Sequence, residues 1–280
     1  MDNINELKAL LSAPKNIVIT THRNPDGDAI GSSLGLYHFL NKGGHTVRMI
    51  TPSEYPDVFS WMPEIEKMVI YDIDPDYSKA LVEKADIIFC LDFNALDRID
   101  KLGDLIEPAR AHKVMIDHHL YPDGFVDFML SDTTASSTCE LIVDFIHMLS
   151  MEEDLDVQIG ECLFTGIVTD TGSFRYGTSA KLYRTVGELV ELGVDDYKLQ
   201  DLINNSMKYI DQDKKHPEIQ LSMVKRRRYF HILVRDNGVG IDRDEIGKVF
   251  DMFYRGTEQS EGTGLGLYIV RETVRTLGGE

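Results

Sequence analysis

Over the first two hundred positions, short apolar runs rich in β-branched residues alternate with amphipathic stretches. That alternation predicts an α/β domain with a mainly parallel sheet flanked by helices. The runs place strands at Asn16–Thr21, Thr46–Thr51, Asp86–Leu91 and Lys113–Ile116, with a weaker one near Phe125–Leu130. Between the first two, Ile30, Leu34, Tyr37 and Leu40 recur at helical spacing, which predicts a helix over Asp28–Leu40 ended by Gly43-Gly44. Further helices are expected at Ala135–Leu149, Asp156–Val168 and Ala180–Leu192. Ser137-Thr138-Cys139-Glu140 has the form of a capping box at the first of these.

After about Asn204 the texture changes. Lys225-Arg226-Arg227-Arg228 is a dense basic run, and the glycines cluster. Two domains are expected, 1–202 and 203–280. No Pro/Gly/Ser linker marks the join, so a helix spanning Tyr197–Tyr209 is expected to run from one into the other.

Charge narrows the function classes. With 29 Lys and Arg against 47 Asp and Glu, the formal charge is −18. That balance argues against a generally basic surface, and so against duplex nucleic acid as a partner. It fits clustered carboxylates partly neutralised by bound cations. The segment Met1–Glu6 has neither a basic nor an apolar leader region, and no apolar run approaches the ~20 residues of a membrane helix. A cytoplasmic protein without a membrane partner is expected. Cys90, Cys139 and Cys162 stand singly within apolar segments and read as reduced core thiols. Oligomeric state does not follow from the pattern.

In open parallel sheets ligands bind beyond the carboxyl ends of the strands. The first strand ends in His22-Arg23-Asn24-Pro25-Asp26-Gly27-Asp28, the third in Asp92-Phe93-Asn94, and the fourth in Asp117-His118-His119. Asp170, after another apolar segment, closes the set. Carboxylates packed so closely raise one another's pKa values unless cations join them. Imidazole and carboxylate donors without thiolate suit Mn²⁺ or a similar divalent ion, zinc included.

These motifs, in their order, resemble the DHH family of phosphoesterases over about residues 6–202. The family's name is the Asp117-His118-His119 triplet. The wording of Asn24–Ala29 and of Ser131–Ser137 is most similar to the branch that degrades very short oligoribonucleotides and dephosphorylates adenosine 3′,5′-bisphosphate. The resemblance implies a two-metal hydrolase with short RNA or nucleotides as substrate. It implies His22, Asp26 and Asp92 on one Mn²⁺, and Asp28, His118, Asp170 and a bridging Asp92 on the other. Asp117 would orient an imidazole, and His119 would face the scissile phosphate. One departure stands out: Leu182-Tyr183 replaces the family's usual Thr-His, which removes a supporting contact.

Further on, Leu233–Ile241, Phe250–Gly256 and Gly262-Thr263-Gly264-Leu265-Gly266-Leu267 form an ordered trio of motifs. Together they resemble the ATP-binding domain of sensor histidine kinases over about residues 204–280. The resemblance implies an incomplete α+β segment holding ATP and Mg²⁺. Asn205 would hold the metal and Lys208 would approach phosphate. Asp236 would read the adenine, Gly238 and Gly240 would line the pocket, and Gly262, Gly264 and Gly266 would form the lid. The first part lacks the glycine-rich substrate-gripping domain usual in its relatives. Three readings stand side by side: a metal-dependent phosphoesterase with reduced activity, an ATP-binding signalling module, and a chimera with neither activity intact.

Overall fold

In the computed structural model, six strands form one sheet: β1 (Asn16–Thr21), β2 (Thr46–Thr51), β3 (Val69–Ile70), β4 (Ile87–Leu91), β5 (His112–Asp117) and β6 (Phe128–Ser131). All pairings are parallel, in the order β3-β2-β1-β4-β5-β6. The structure describes residues 1, 3–197, 199–200, 203, 219–226, 229–236, 246–250 and 271. They fall into two compact units, Met1–Asn205 and Ser206–Glu280.

Seven α-helices are described in the first unit: α1 (Ile4–Leu11), α2 (Gly27–Lys42), α3 (Pro75–Lys84), α4 (Gly103–Ile106), α5 (Thr138–Leu149), α6 (Val157–Asp170) and α7 (Ala180–Glu191). They cover both faces of the sheet, which is why the central strands carry no polar alternation. Ile17, Ile19, Phe89 and Leu91 join residues of α2, α5 and α6 in one core. Val18, Ile88 and Cys90, the intervening positions, join Val82 of α3 and Ile106 of α4 in the other. Each fully buried Ile or Leu of this kind is worth about 1.5–3 kcal/mol relative to exposure.

Several elements differ from the sequence pattern. The helices α1 and α3 and the short strand β3 carry too few buried apolar residues to register as periodic: Leu7 in α1, and Val82 in α3. The helix expected from Ala135 starts at Thr138, because Ser137 adopts extended backbone and caps it through its side chain. The helix expected over Asp156–Val168 runs on to Asp170, with Asp156 as its cap.

Helices α2 and α6 pack closely, and glycine makes this possible. Gly27, Gly31 and Gly35 lie four apart on the face of α2 that meets α6. A Cβ on Gly31 would stand 2.6 Å from the Cys162 carbonyl oxygen and 3.0 Å from the Gly166 nitrogen. The two backbones are therefore in direct contact, as small residues permit. This seam holds the amino end of α2 against the carboxyl end of α6.

The sheet order reverses direction between β1 and β4: the chain steps from β1 out to β3, then returns to β4 on the other side of β1. A crevice opens at such a switch point, and both flanking strands point their carboxyl ends into it. In the second unit, β7 (Ile219–Arg226) and β8 (Tyr229–Asp236) pair antiparallel, with Ile219 opposite Asp236 and Arg226 opposite Tyr229. Among the described residues, no helix is long and apolar enough to cross a membrane.

Candidate metal centre

Each of the six expected ligands of the first unit sits at the end of an element that aims it into the crevice. His22 directly follows β1. Its Nδ1 lies 2.8 Å from the Arg23 carbonyl oxygen. Donation there leaves Nε2 as the lone-pair nitrogen facing the carboxylates. Asp26 caps α2, its Oδ1 accepting from the amides of Asp28 (3.0 Å) and Ala29 (3.1 Å). Asp28 follows in the first turn and is buried. Asp92, the residue after β4, has a left-handed backbone with φ 63°. Such a conformation is costly for a non-glycine residue and concentrates at functional sites. His118 follows β5, and Asp170 is the last residue of α6.

The distances define two groups that share one carboxylate. Asp92 Oδ2 is 3.4 Å from His22 Nε2, and Asp26 Oδ1 is 3.9 Å from the same nitrogen. The other Asp92 oxygen, Oδ1, is 3.5 Å from His118 Nε2. That nitrogen also lies 3.5 Å from Asp170 Oδ2 and 3.9 Å from Asp28 Oδ2. Within His22, Asp26 and Asp92, and again within Asp28, His118 and Asp170, one donor atom per residue falls within 4.8 Å of the others. Among the described residues, the ion-pair partners of these four carboxylates are imidazoles, not Lys or Arg.

Electrostatics mark the cost of that arrangement. Burial, then the charges of Asp92 and Asp170, push the Asp28 carboxyl well above its ordinary range. Burial pushes Asp170 up to about 6; His118 opposes this, and Asp92 and Asp26 add to it. Burial lowers the affinity of His22 for a proton, but the hydrogen bond and charge of Asp92 outweigh it, and the net shift is upward. Carboxylates held together against their own repulsion, with imidazole lone pairs between them, fit divalent ions of mixed nitrogen and oxygen preference.

A third group joins Asp92 and His118 to His119, whose Nδ1 lies 3.8 Å from Asp92 Oδ1, and His119 is also paired with Asp117. Asp117 is fully buried at the end of β5. It accepts from the His119 backbone amide at 3.1 Å and lies 2.7 Å from the His119 ring Nδ1. The imidazole that it orients is thus His119 and not the neighbouring His118. The hydrogen bond to Asp117 raises the His119 pKa; partial burial opposes it, and the net shift is upward.

Several supporting residues carry no signature in the sequence. The amino end of α5 binds Asp28 through the amides of Thr138 (2.6 Å) and Cys139 (2.9 Å), while the Thr138 hydroxyl donates to Asp92 Oδ1 at 2.9 Å. The side chain of Asn94 donates to the Leu120 carbonyl at 2.7 Å and so ties the loop after β4 to the loop after β5. The anticipated capping box is half formed. Ser137 Oγ accepts from the Glu140 amide, but the Glu140 carboxylate reaches past Ser137 to the amide and hydroxyl of Ser136. At the departure Leu182-Tyr183, Leu182 is fully buried and Tyr183 stacks on Phe174 at 6.1 Å. That position now serves packing.

The expected nucleotide contacts of the second unit are not open to the same test. Asn205, Lys208, Gly238, Gly240, Gly262, Gly264 and Gly266 lie outside the described residues, and of Asp236 only its backbone place at the end of β8 is described.

A parallel sheet with carboxylate and imidazole side chains converging at its switch point defines the class, and comparison with known proteins agrees. Residues 16–167 match the family described as "DHH family, N-terminal domain". The chain belongs to the DHH family. A bifunctional oligoribonuclease and PAP phosphatase of Bacillus subtilis is 31% identical over 271 residues, covering 93% of this chain and 75% of that protein. Its counterpart in Thermus thermophilus is 31% identical over 186 residues, 66% of this chain and 52% of that protein. The chain thus spans about half the length of the Thermus relative. An exopolyphosphatase-related protein from Bacteroides fragilis has a similar structure, with TM-score 0.71 and 27% identity over 98% of this chain and 96% of that one. Residues 197–280 match a second family, described as "Histidine kinase-, DNA gyrase B-, and HSP90-like ATPase".

Proposed function

We propose that residues 1–202 form the catalytic domain of a manganese-dependent phosphoesterase acting on short oligoribonucleotides or nucleoside bisphosphates. Residues 203–280 would form a partial histidine kinase-like ATPase domain. The observation that carries the reading is the Asp92 carboxylate, whose two oxygens face His22 and His118 separately, each within a further set of acidic groups.

In this reading His22, Asp26 and Asp92 would hold one ion, and Asp28, His118 and Asp170, with Asp92, would hold the other. Divalent ions bound there would supply an acidified water and neutralise phosphate charge. The protein's own groups do the rest. His22 keeps Nε2 free by donating Nδ1–H to its backbone neighbour. Asp117 fixes the His119 ring through Nδ1, and the same hydrogen bond favours the protonated ring, whose Nε2–H can then donate to a phosphate or leaving oxygen. Hydrolysis forms a bond from a water oxygen to phosphorus and breaks the P–O bond to the leaving group. The departing oxygen takes a proton, for which His119 is the assigned donor.

The test is manganese content together with cleavage of a ribodinucleotide and release of phosphate from adenosine 3′,5′-bisphosphate. The parent is expected to bind two ions and turn over at least one substrate, and the double variant Asp28→Ala, His118→Ala to lose turnover. A double variant with full manganese-dependent hydrolysis would refute the assignment. The match of residues 197–280 to the ATPase family supports a second reading, a nucleotide-binding signalling module. Equilibrium binding of a fluorescent ATP analogue tests it in the same preparation.

A further inference from the structure

Thr138 touches both halves of the centre, yet it belongs to neither set of ligands. Its amide donates to Asp28 Oδ2 at 2.6 Å, and its hydroxyl donates to Asp92 Oδ1 at 2.9 Å. Asp28 comes from the first turn of α2 and Asp92 from the end of β4, so one residue of α5 ties together carboxylates from two strand-end loops. Thr138 is itself fully buried and tightly held. Ser137 caps the helix, and Glu140, 1% exposed, binds the amide and hydroxyl of Ser136 at 2.8 Å each. Lys181 Nζ stands 3.5 Å from the other Glu140 oxygen.

The terminal torsion of an aspartate is broad and has no sharp minimum of its own. Something must fix the plane of Asp92 if its two oxygens are to face two different imidazoles. Among the described residues, the Thr138 hydroxyl is the one hydrogen-bond donor to the Asp92 side chain apart from the imidazoles that ring it.

We propose that Thr138 is a positioning residue: its hydroxyl sets the rotation of the shared Asp92 carboxylate, and thereby makes the two metal sites a coupled pair and not two independent ones. This rests on the two-metal reading of the centre. Partners of this kind, one bond removed from the ion, change metal affinity by about 10- to 100-fold.

The experiment is a manganese titration of the full chain followed by electron paramagnetic resonance, without substrate, in the parent and in Thr138→Val and Thr138→Ser. Valine keeps the shape and the amide bond to Asp28 but loses the hydroxyl; serine restores it. The parent and Thr138→Ser are expected to take up two ions and show the hyperfine pattern of an exchange-coupled pair. Thr138→Val is expected to bind its second ion about 10- to 100-fold more weakly and to lose the coupled pattern where the parent is saturated. Far-UV circular dichroism checks that each variant is folded; should valine not fold, Thr138→Ala makes the same comparison. A coupled pair in the valine or alanine variant at parental affinity overturns the role of Thr138 and leaves the two-metal reading intact. A parent that takes up no manganese overturns that reading, and this proposal with it.

Discussion

Replacing Gly31 by alanine should destabilise the first unit, although alanine is the better helix former. In a helix interior the change gains about 1 kcal/mol of propensity. Against this, the new methyl carbon would sit 2.6 Å from the Cys162 carbonyl oxygen, 3.0 Å from the Gly166 nitrogen and 3.2 Å from Cys139 Sγ. Two of those neighbours are backbone, so no side chain can swing aside and α2 must move off α6. Overpacking of this sort costs about 1–3 kcal/mol, and the lack of a flexible neighbour puts it at the upper end. The net expectation is a loss of about 1–2 kcal/mol. Gly187→Ala supplies the opposite case: Gly187 lies in α7, and a methyl carbon there would meet nothing within 4 Å, so a gain of about 0.5–1 kcal/mol is expected. Trp61 is the chain's one tryptophan and packs against the core of the first unit, so its fluorescence in a urea titration reports this unit alone. Each kcal/mol corresponds to about 2–4 °C in Tm for a unit of this size. Opposite signs for the two variants are the expected result. A Gly31→Ala protein as stable as its parent would contradict the backbone contact between α2 and α6.

Two further predictions concern the centre. With metal removed by chelation, Asp170 titrates near 6 in the folded protein against 3.8 for an ordinary aspartate. A carboxyl raised in the folded state contributes stability that is fully present below about 4 and is lost as pH rises through about 6. Relative to Asp170→Asn, the metal-free parent should therefore lose on the order of 1–2 kcal/mol between about pH 4 and 7, after allowance for solvent screening. Excess Mn²⁺ should abolish the trend, because ligated carboxylates are deprotonated; equal pH profiles for the two metal-free proteins would rule out the raised Asp170 carboxyl. Asp117→Asn should bring the His119 pKa down, since the hydrogen bond to Asp117 is what raises it. A proton NMR titration of the ring measures this, and an unmoved pKa would mean that Asp117 does not control His119.

The parts legible in the sequence are those whose signal is local. β1, β4 and β5 have continuous apolar centres, and the rule that ligands gather at strand ends picks out His22, Asp92 and His118 from that alone. α3 escapes the pattern although Asp74 caps it and Pro75 occupies its first turn, because Val82 is its one buried apolar side chain. Asp170 lies at the end of a helix, where the strand-end rule has no purchase. Thr138 reads in the sequence as an ordinary residue of a capped helix. Its contacts run to positions 46 and 110 residues away, a separation no spacing pattern encodes. The same holds for the glycine seam: Gly27, Gly31 and Gly35 repeat visibly, but what they accommodate is α6, its side chains at Thr169 and Leu163 and its backbone at Cys162, more than a hundred residues later.

The three free thiols offer a clock for local opening. All are buried: Cys90 faces the layer formed with α3 and α4, whereas Cys139 and Cys162 lie in the layer of α2, α5 and α6. Burial pushes the Cys90 thiol up to about 12 and also raises the other two, so each is unreactive until its layer parts. Alkylation under native conditions therefore times the two layers separately. Because Cys139 donates its amide to Asp28, an ion bound at that carboxylate should retard its modification more than that of Cys90.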